Sequence, residues 1–313
     1  MIKTCEFVSP RHPDKICDFI ADSILDAFLA KDKNAHVAIE VMGGHKSISI
    51  SGEVKSKAYV DIEKIVHKVM GKDYHVHKHV VLQSPFIAHG VDLGGAGDQG
   101  IMIGYATSET PNFMPYEYNL ARELCQKIYK VYPFDGKVQV TVDGKKILTV
   151  VASFQNSKTK DLLEFVKKHI KAGEYLINPA GEWTLGGFDA DSGLSGRKIA
   201  IDSYGPEVPI GGGSFSGKDA TKVDRSGAYM ARKIAVDLLK KHKAHEVKVK
   251  LAYAIGKPYP VMATVIRDSM TVGVPKSYDL SPAGIKKLLK LTRPIFAKTA
   301  IWGHFGRGFL WDL

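Results

Sequence analysis

One arrangement of elements recurs roughly every hundred residues, and it constrains the fold more than any single motif does. Residues 16–31 form an amphipathic helical pattern, with Ile16, Phe19, Ile20, Ile24 and Phe28 on one stripe. Two strand-like runs follow at 36–42 and 47–54, then a second helical pattern at 60–70. The next pass reads helix at 116–132, strands at 138–142 and 147–153, and helix at 160–169. The last reads helix at 224–241, strands at 247–254 and 261–267, and a helix opening after Ser281-Pro282. The pattern predicts an α+β chain of three similar domains, each laying helices on one face of an antiparallel sheet. Their expected bounds are 1–90, 95–184 and 185–313.

Charge narrows the partners. The chain carries 44 Lys and Arg against 33 Asp and Glu, a net charge of +11, which favours anions. A polyphosphate substrate and a nucleic acid both fit that balance, but no RNP-like or helix-turn-helix signature supports the second. No run of 18 apolar residues suggests a membrane span. The first residues lack the charged and apolar stretches of a secretory signal. Cys5, Cys17 and Cys125 lack metal-like spacing, so reduced thiols and a cytoplasmic location are expected.

The first strand pair carries a register argument. In 47–54, Ser47, Ser49, Ser51 and Glu53 alternate with apolar residues and glycine. A turn at 43–46 would set Met42 opposite Ser47, Glu40 opposite Ser49 and His36 opposite Glu53, with Glu40 and Glu53 on one face. Two long stretches, 84–97 and 177–224, lack periodicity and are rich in Gly and Pro, so functional residues are sought there.

Five short constellations stand out. His12-Pro13-Asp14-Lys15 precedes the first helix, where Pro suits the first turn and the macrodipole favours an anion; its chemistry is a Mg²⁺ carboxylate beside a phosphate-donating histidine. Gly212 to Lys218 fits the spacing of a P-loop, but Asp219 stands where Ser or Thr is required and no apolar strand leads into it. Its glycines still let backbone N–H groups approach phosphate, and Lys218 adds charge; Lys222 and Asp224 follow at once. Arg197 and Lys198 end the loop begun by Asp189 and are expected to enter a strand at 199–201. Asp143-Gly144-Lys145 is a hairpin turn needing no function. His75, His77 and His79 share one strand face, read as exposed surface before metal site.

Together these segments resemble S-adenosylmethionine synthetases, in collinear order over nearly the whole chain. The resemblance rests on Glu6 to Lys15, Gly95-Ala96-Gly97-Asp98-Gln99-Gly100, Asp191 to Lys198, Gly211 to Arg225, and Gly303-His304-Phe305-Gly306-Arg307. It implies three α+β domains related by pseudo-threefold symmetry. It also implies attack of methionine sulfur on C5′ of ATP, followed by hydrolysis of the released triphosphate. By resemblance, His12, Lys145, Arg197 and Lys218 are catalytic, and Asp143, Trp183, Asp191, Lys198 and Ser214 join them around ATP. Glu53, Gln83, Asp98, Asp191 and Lys222 match the methionine site. Asp14 and Asp224 match Mg²⁺ ligands, with two ions expected per site, and Glu40 a K⁺ ligand. A homodimer with sites at the subunit interface, or a tetramer, is implied.

The chain departs from the family pattern in places. Arg11 stands where Gly is usual and Phe7 where Ser is usual, and Glu182-Trp183 replaces Arg-Phe, leaving Trp183 to stack on adenine. The 84–97 loop, a mobile lid in relatives, is short, as is the chain. Altered lid kinetics and substrate tolerance are expected from this.

Overall fold

A computed structural model describes residues 1–84 and 94–313. In chain order the elements are β1 (Ile2–Val8), α1 (Pro13–Lys31), β2 (His36–Gly44), β3 (Ser47–Lys55), α2 (Ile62–Met70) and β4 (His75–Leu82). Then come β5 (Gly100–Thr107), α3 (Tyr116–Val131), β6 (Gly136–Asp143), β7 (Lys146–Phe154), α4 (Thr159–His169) and β8 (Glu174–Ile177). The last third holds β9 (Gly193–Leu194), α5 (Ile199–Asp202), α6 (Val223–His242), β10 (Glu246–Tyr253), β11 (Met262–Arg267), β12 (Met270–Gly273), α7 (Pro282–Leu288) and α8 (Phe296–Ile301). The helix–strand–strand–helix unit therefore occurs three times, and the fold is α+β.

Among the described residues the strands form three four-stranded sheets, ordered β9-β2-β3-β4, β1-β6-β7-β8 and β5-β10-β11-β12. Each has a hairpin at its centre. Each also takes its first strand from another part of the chain. The C-terminal third supplies β9 to the first sheet, the N-terminus supplies β1 to the second, and the middle supplies β5 to the third. The three units are thus tied in a ring.

The sheets are not antiparallel throughout, as the sequence pattern had suggested. β4 runs parallel to β3, and β8 parallel to β7. Helices α2 and α4 carry the chain back across the sheet, and such a crossover places the next strand parallel. The third sheet lacks that crossover; β12 follows β11 directly and pairs antiparallel.

The first hairpin also corrects the expected register. His45 and Lys46 form a two-residue turn with φ of 50° and 63°, the left-handed geometry of a tight hairpin. Glu40 therefore opposes Ser51, Glu53 opposes Ala38 and His36 opposes Lys55. The shift is an even number of residues, so faces are preserved and Glu40 and Glu53 still share one. On the other face Val37, Ile39, Val41, Ile48 and Ile50 are buried with Ile16, Ile20, Ile24 and Phe28 of α1. Phe19, expected on that stripe, is only half-buried and faces a groove. Residues 199–201, expected as a strand, form α5. Its last residue, Asp202, is buried and receives the ammonium of Lys15.

Candidate active site

The helix α1 organises the site. Pro13 opens it, and the His12 imidazole caps it by accepting the backbone N–H of Asp14 at Nδ1, 3.2 Å away. With Nδ1 accepting, the ring proton sits on Nε2, which becomes a donor. Burial, reinforced by the nearby Lys198 ammonium, lowers the His12 pKa to about 4. The ring is therefore neutral at pH 7.

Four aspartates follow at four-residue steps on one stripe of α1, and each accepts backbone N–H groups from a distant loop. Asp14 takes Leu194 N at 2.9 Å, and Asp18 takes Gly196 N at 2.9 Å. Asp22 takes Gly217 N at 2.9 Å, and Asp26 takes both Phe296 N and Ala297 N at 2.9 Å. One rigid helix thus fixes both basic loops singled out from the sequence. Gly217 makes this possible. Its φ is +81°, and an added Cβ would lie 1.9 Å from the Ile39 carbonyl oxygen.

The cations then fall into place. Lys198 Nζ lies 2.6 Å from Asp14 Oδ2, and Arg197 Nε 3.7 Å from Asp14 Oδ1. Burial alone would raise the Asp14 pKa, but the bonds from Lys198 and Leu194 outweigh it and hold the carboxyl below its usual value. Lys218 Nζ lies 2.6 Å from Asp224 Oδ2. Gly213 leans so closely on Asp224 that a Cβ would sit 2.3 Å from its carboxylate. Ser195 donates to Glu40 and accepts Val41 N, and Lys218 bridges to Ala38 in the same strand. Ser214 borders Gly196, and its buried hydroxyl has no partner among the described residues. His12, Asp14, Glu40, Arg197, Lys198, Ser214, Lys218 and Asp224 are thereby brought to one region of a single chain.

Two expected residues are not. Asp143 and Lys145 sit at the far tip of the β6–β7 hairpin. Asp143 pairs there with the N-terminal amine at 3.0 Å, and Lys145 lies 4.2 Å over the Tyr116 ring. Opposite β1, the register runs from Asp143 beside Ile2 to Lys137 beside Val8. At strand rise this separates the two ends by about 20 Å. The end near His12 holds a second Asp-Gly-Lys tripeptide, Asp135-Gly136-Lys137. Asp135 accepts Gly187 N at 3.0 Å, and Lys137 is among the charges that depress His12. Asp191 also acts on His12 and on Asp135. Trp183 packs against the Gly186 that leads into Gly187. Sequence reading missed Asp135 and Lys137, although the repeated tripeptide was the available signal.

Of the residues matched to methionine, Gln83, Glu53 and Lys222 lie near the start of β2, whereas Asp191 lies beside Gly44 at its far end. His36 Nδ1 meets Gln83 Oε1 at 3.1 Å, leaving the buried Gln83 Nε2 with no partner among the described residues. Glu53 opposes Ala38 on the open face. Gly97 N donates to Thr221 O, drawing the Asp98 loop toward the glycine-rich segment. Lys222 is buried and committed to Asp219 at 2.6 Å, which also accepts Val37 N. The expected lid falls largely on residues 85–93, outside the described residues.

The sequence matches a known protein family over nearly its whole length. The models for the N-terminal, central and C-terminal domains of S-adenosylmethionine synthetase match residues 1–86, 93–183 and 185–313. The S-adenosylmethionine synthases of two strains of Thermus thermophilus are each 41% identical over 374 residues, spanning 99% of this chain and 95% of the relative. That span exceeds the 313 residues of this chain, so the relatives hold segments it lacks.

Proposed function

The chain belongs to the S-adenosylmethionine synthetase family and makes S-adenosylmethionine from ATP and methionine, and we propose that the loops anchored on α1 form its triphosphate cradle. The observation that carries this reading is that Lys198 and Arg197 sit at Asp14 next to His12, while the Lys218 turn docks further along the same face of α1, each loop held by an aspartate of that helix.

In this reaction the methionine sulfur attacks C5′. The C5′–O bond breaks, and its electron pair leaves with the triphosphate. The sulfur becomes a sulfonium, and no proton need leave it. The barrier lies in charge building on the departing oxygen. His12 Nε2–H donates there as a neutral hydrogen-bond donor, while Lys198, Arg197, Lys218 and Lys137 neutralise the phosphate oxygens. Lys137 takes the role first given to Lys145, and Asp135 that given to Asp143. Asp191 and Trp183 flank the nucleoside side, with the Trp183 ring offered to adenine. Gln83 Nε2 offers its spare donor to the methionine carboxylate, with Glu53 and Asp98 near the amine and the nascent cation. Lys222 braces the Asp219 turn. The same cradle then retains triphosphate while water cleaves it to pyrophosphate and phosphate.

The donor set fits magnesium. Among the described residues no group of three or more His, Cys, Asp or Glu could by itself hold a metal. Mg²⁺ bound through one or two carboxylates plus substrate phosphates needs no such cage. Asp14 and Asp224 would hold Mg²⁺, two ions per site, and Glu40 beside Ser195 would hold K⁺. When bound, magnesium supplies further neutralisation of the phosphate charge.

The sheet faces opposite the helices favour a homodimer with sites at its interface. Met42, Val81 and Leu194 of the first sheet are 55%, 49% and 38% exposed, an apolar surface suited to a partner. Three buried, unpaired cysteines suit the cytoplasm.

The test is incubation with ATP, methionine, Mg²⁺ and K⁺, reading products by mass spectrometry against a magnesium titration. S-adenosylmethionine and phosphate should form together, and Asp14→Asn should shift the magnesium midpoint upward. An unchanged midpoint would remove Asp14 from the cradle.

A further inference from the structure

A broad groove of about 690 Å³ opens between α1, α2 and the ends of α3 and α8. Its floor is the stripe of α1 that holds Phe19, and its walls carry Ile65, Tyr129 and Trp302. The aromatic walls are braced: Trp302 stacks on Phe7 at 6.1 Å and meets Tyr129 edge-on at 5.6 Å. The lining contains cations and no carboxylate. Lys15 is neutralised by Asp18 and Asp202. Arg11 and Lys68 are exposed, and neither side chain has an ion pair or hydrogen bond among the described residues. The helix stripe that anchors the phosphate loops is a different one, so this groove is separate from the cradle.

We infer that this groove binds a small amphipathic anion: a flat aromatic or short aliphatic body bearing a carboxylate or sulfonate. Size and charge select that occupant. The volume falls within the range of small-molecule sites, about 300–1,000 Å³, which are mostly apolar with a few placed polar groups. A slot floored by Phe19 and walled by Tyr129 and Trp302 takes an apolar body. The planar Arg11 guanidinium suits a two-oxygen acid group, and Lys68 adds a second charge from the facing helix. Arg11 lines the groove with an exposed guanidinium. It also directly precedes His12, so a ligand held there touches the segment that carries the imidazole.

The probe is 8-anilinonaphthalene-1-sulfonate, with dodecanoate as competitor, titrated against the full chain by fluorescence and calorimetry. One saturable site per chain is expected, displaced by dodecanoate and untouched by tripolyphosphate. Arg11→Gly and Lys68→Ala should each weaken binding about fivefold or more, and Ser23→Trp, which fills the floor, should abolish it while leaving the circular dichroism spectrum intact. Affinity unchanged in all three variants, or displacement by tripolyphosphate, overturns the proposal. So does a dimer lost on Ser23→Trp, which would make the groove a contact between copies of the chain. None of these readouts uses the transferase reaction, so the cradle assignment stands or falls separately.

Discussion

Asp22 holds Arg225 through two bonds of 2.6 and 2.7 Å while accepting the Gly217 N–H, so one carboxylate joins α1, α6 and the turn that carries Lys218. All three groups are buried away from water. Arg225 adds a bond to the Lys218 carbonyl. Removing one partner strands the other charge in the interior. Asp22→Ala should therefore destabilise the fold by about 3–5 kcal/mol, read as a fall in the urea midpoint. A loss under 1 kcal/mol would show that the pair is solvated.

Asp18 offers a gentler version of the same experiment. It binds Gly196 N and the Lys15 ammonium. Asp18→Asn keeps the shape but weakens the anchor of the Arg197–Lys198 loop. The KM for ATP should rise about tenfold, equivalent to about 1.4 kcal/mol, while the KM for methionine stays within twofold. Equal rises in both would mean general disorder instead of a displaced phosphate loop.

Lys137 and Lys145 separate two readings of the central hairpin. Lys137→Ala should lower kcat by about a hundredfold or more, the scale of losing one preorganised donor. Lys145→Ala should leave kcat within twofold. The reverse ranking would place the hairpin tip at a reaction centre, contributed by another chain.

His12 predicts a pH dependence of stability. Its folded pKa of about 4 lies below the ordinary 6.5. Above pH 6.5 the ring is neutral in both folded and unfolded chains. Between 6.5 and 4 only the unfolded chain takes up the proton, so stability falls as pH falls through that window. At pH 4.5 the loss from this ring is about 2 kcal/mol. In His12→Gln it should vanish. Comparing urea midpoints at pH 7.5 and 4.5 in both proteins reads the difference directly; parallel shifts would show that His12 titrates normally.

Much of this was legible in the sequence, and the failures share a cause. Periodicity revealed the three units because each helix and hairpin buries its own face. It could not reveal that β1, β5 and β9 are exchanged around the ring, because pairing partners distant in sequence leave no local mark. The Asp14, Asp18, Asp22 and Asp26 spacing was visible, but acidic residues on a helix ordinarily face water. Only the fold shows loops docking on them. Asp143-Gly144-Lys145 reads as a hairpin turn, while Asp135-Gly136-Lys137, with the same residues, leads into a strand. The tripeptide alone cannot say which end of the sheet meets His12. Residues 199–201 are apolar enough for a strand but form one helical turn, whose last residue, Asp202, is held by Lys15.

On the proposed reading, the loops anchored on α1 grip the triphosphate. Calorimetric titration of magnesium tripolyphosphate into wild type, Lys198→Ala, Lys218→Ala and Lys145→Ala tests it without any chemistry. Affinity should fall about tenfold or more in Lys198→Ala and Lys218→Ala, the scale of a lost charged contact, and stay unchanged in Lys145→Ala. Wild-type affinity in both Lys198→Ala and Lys218→Ala would contradict that reading.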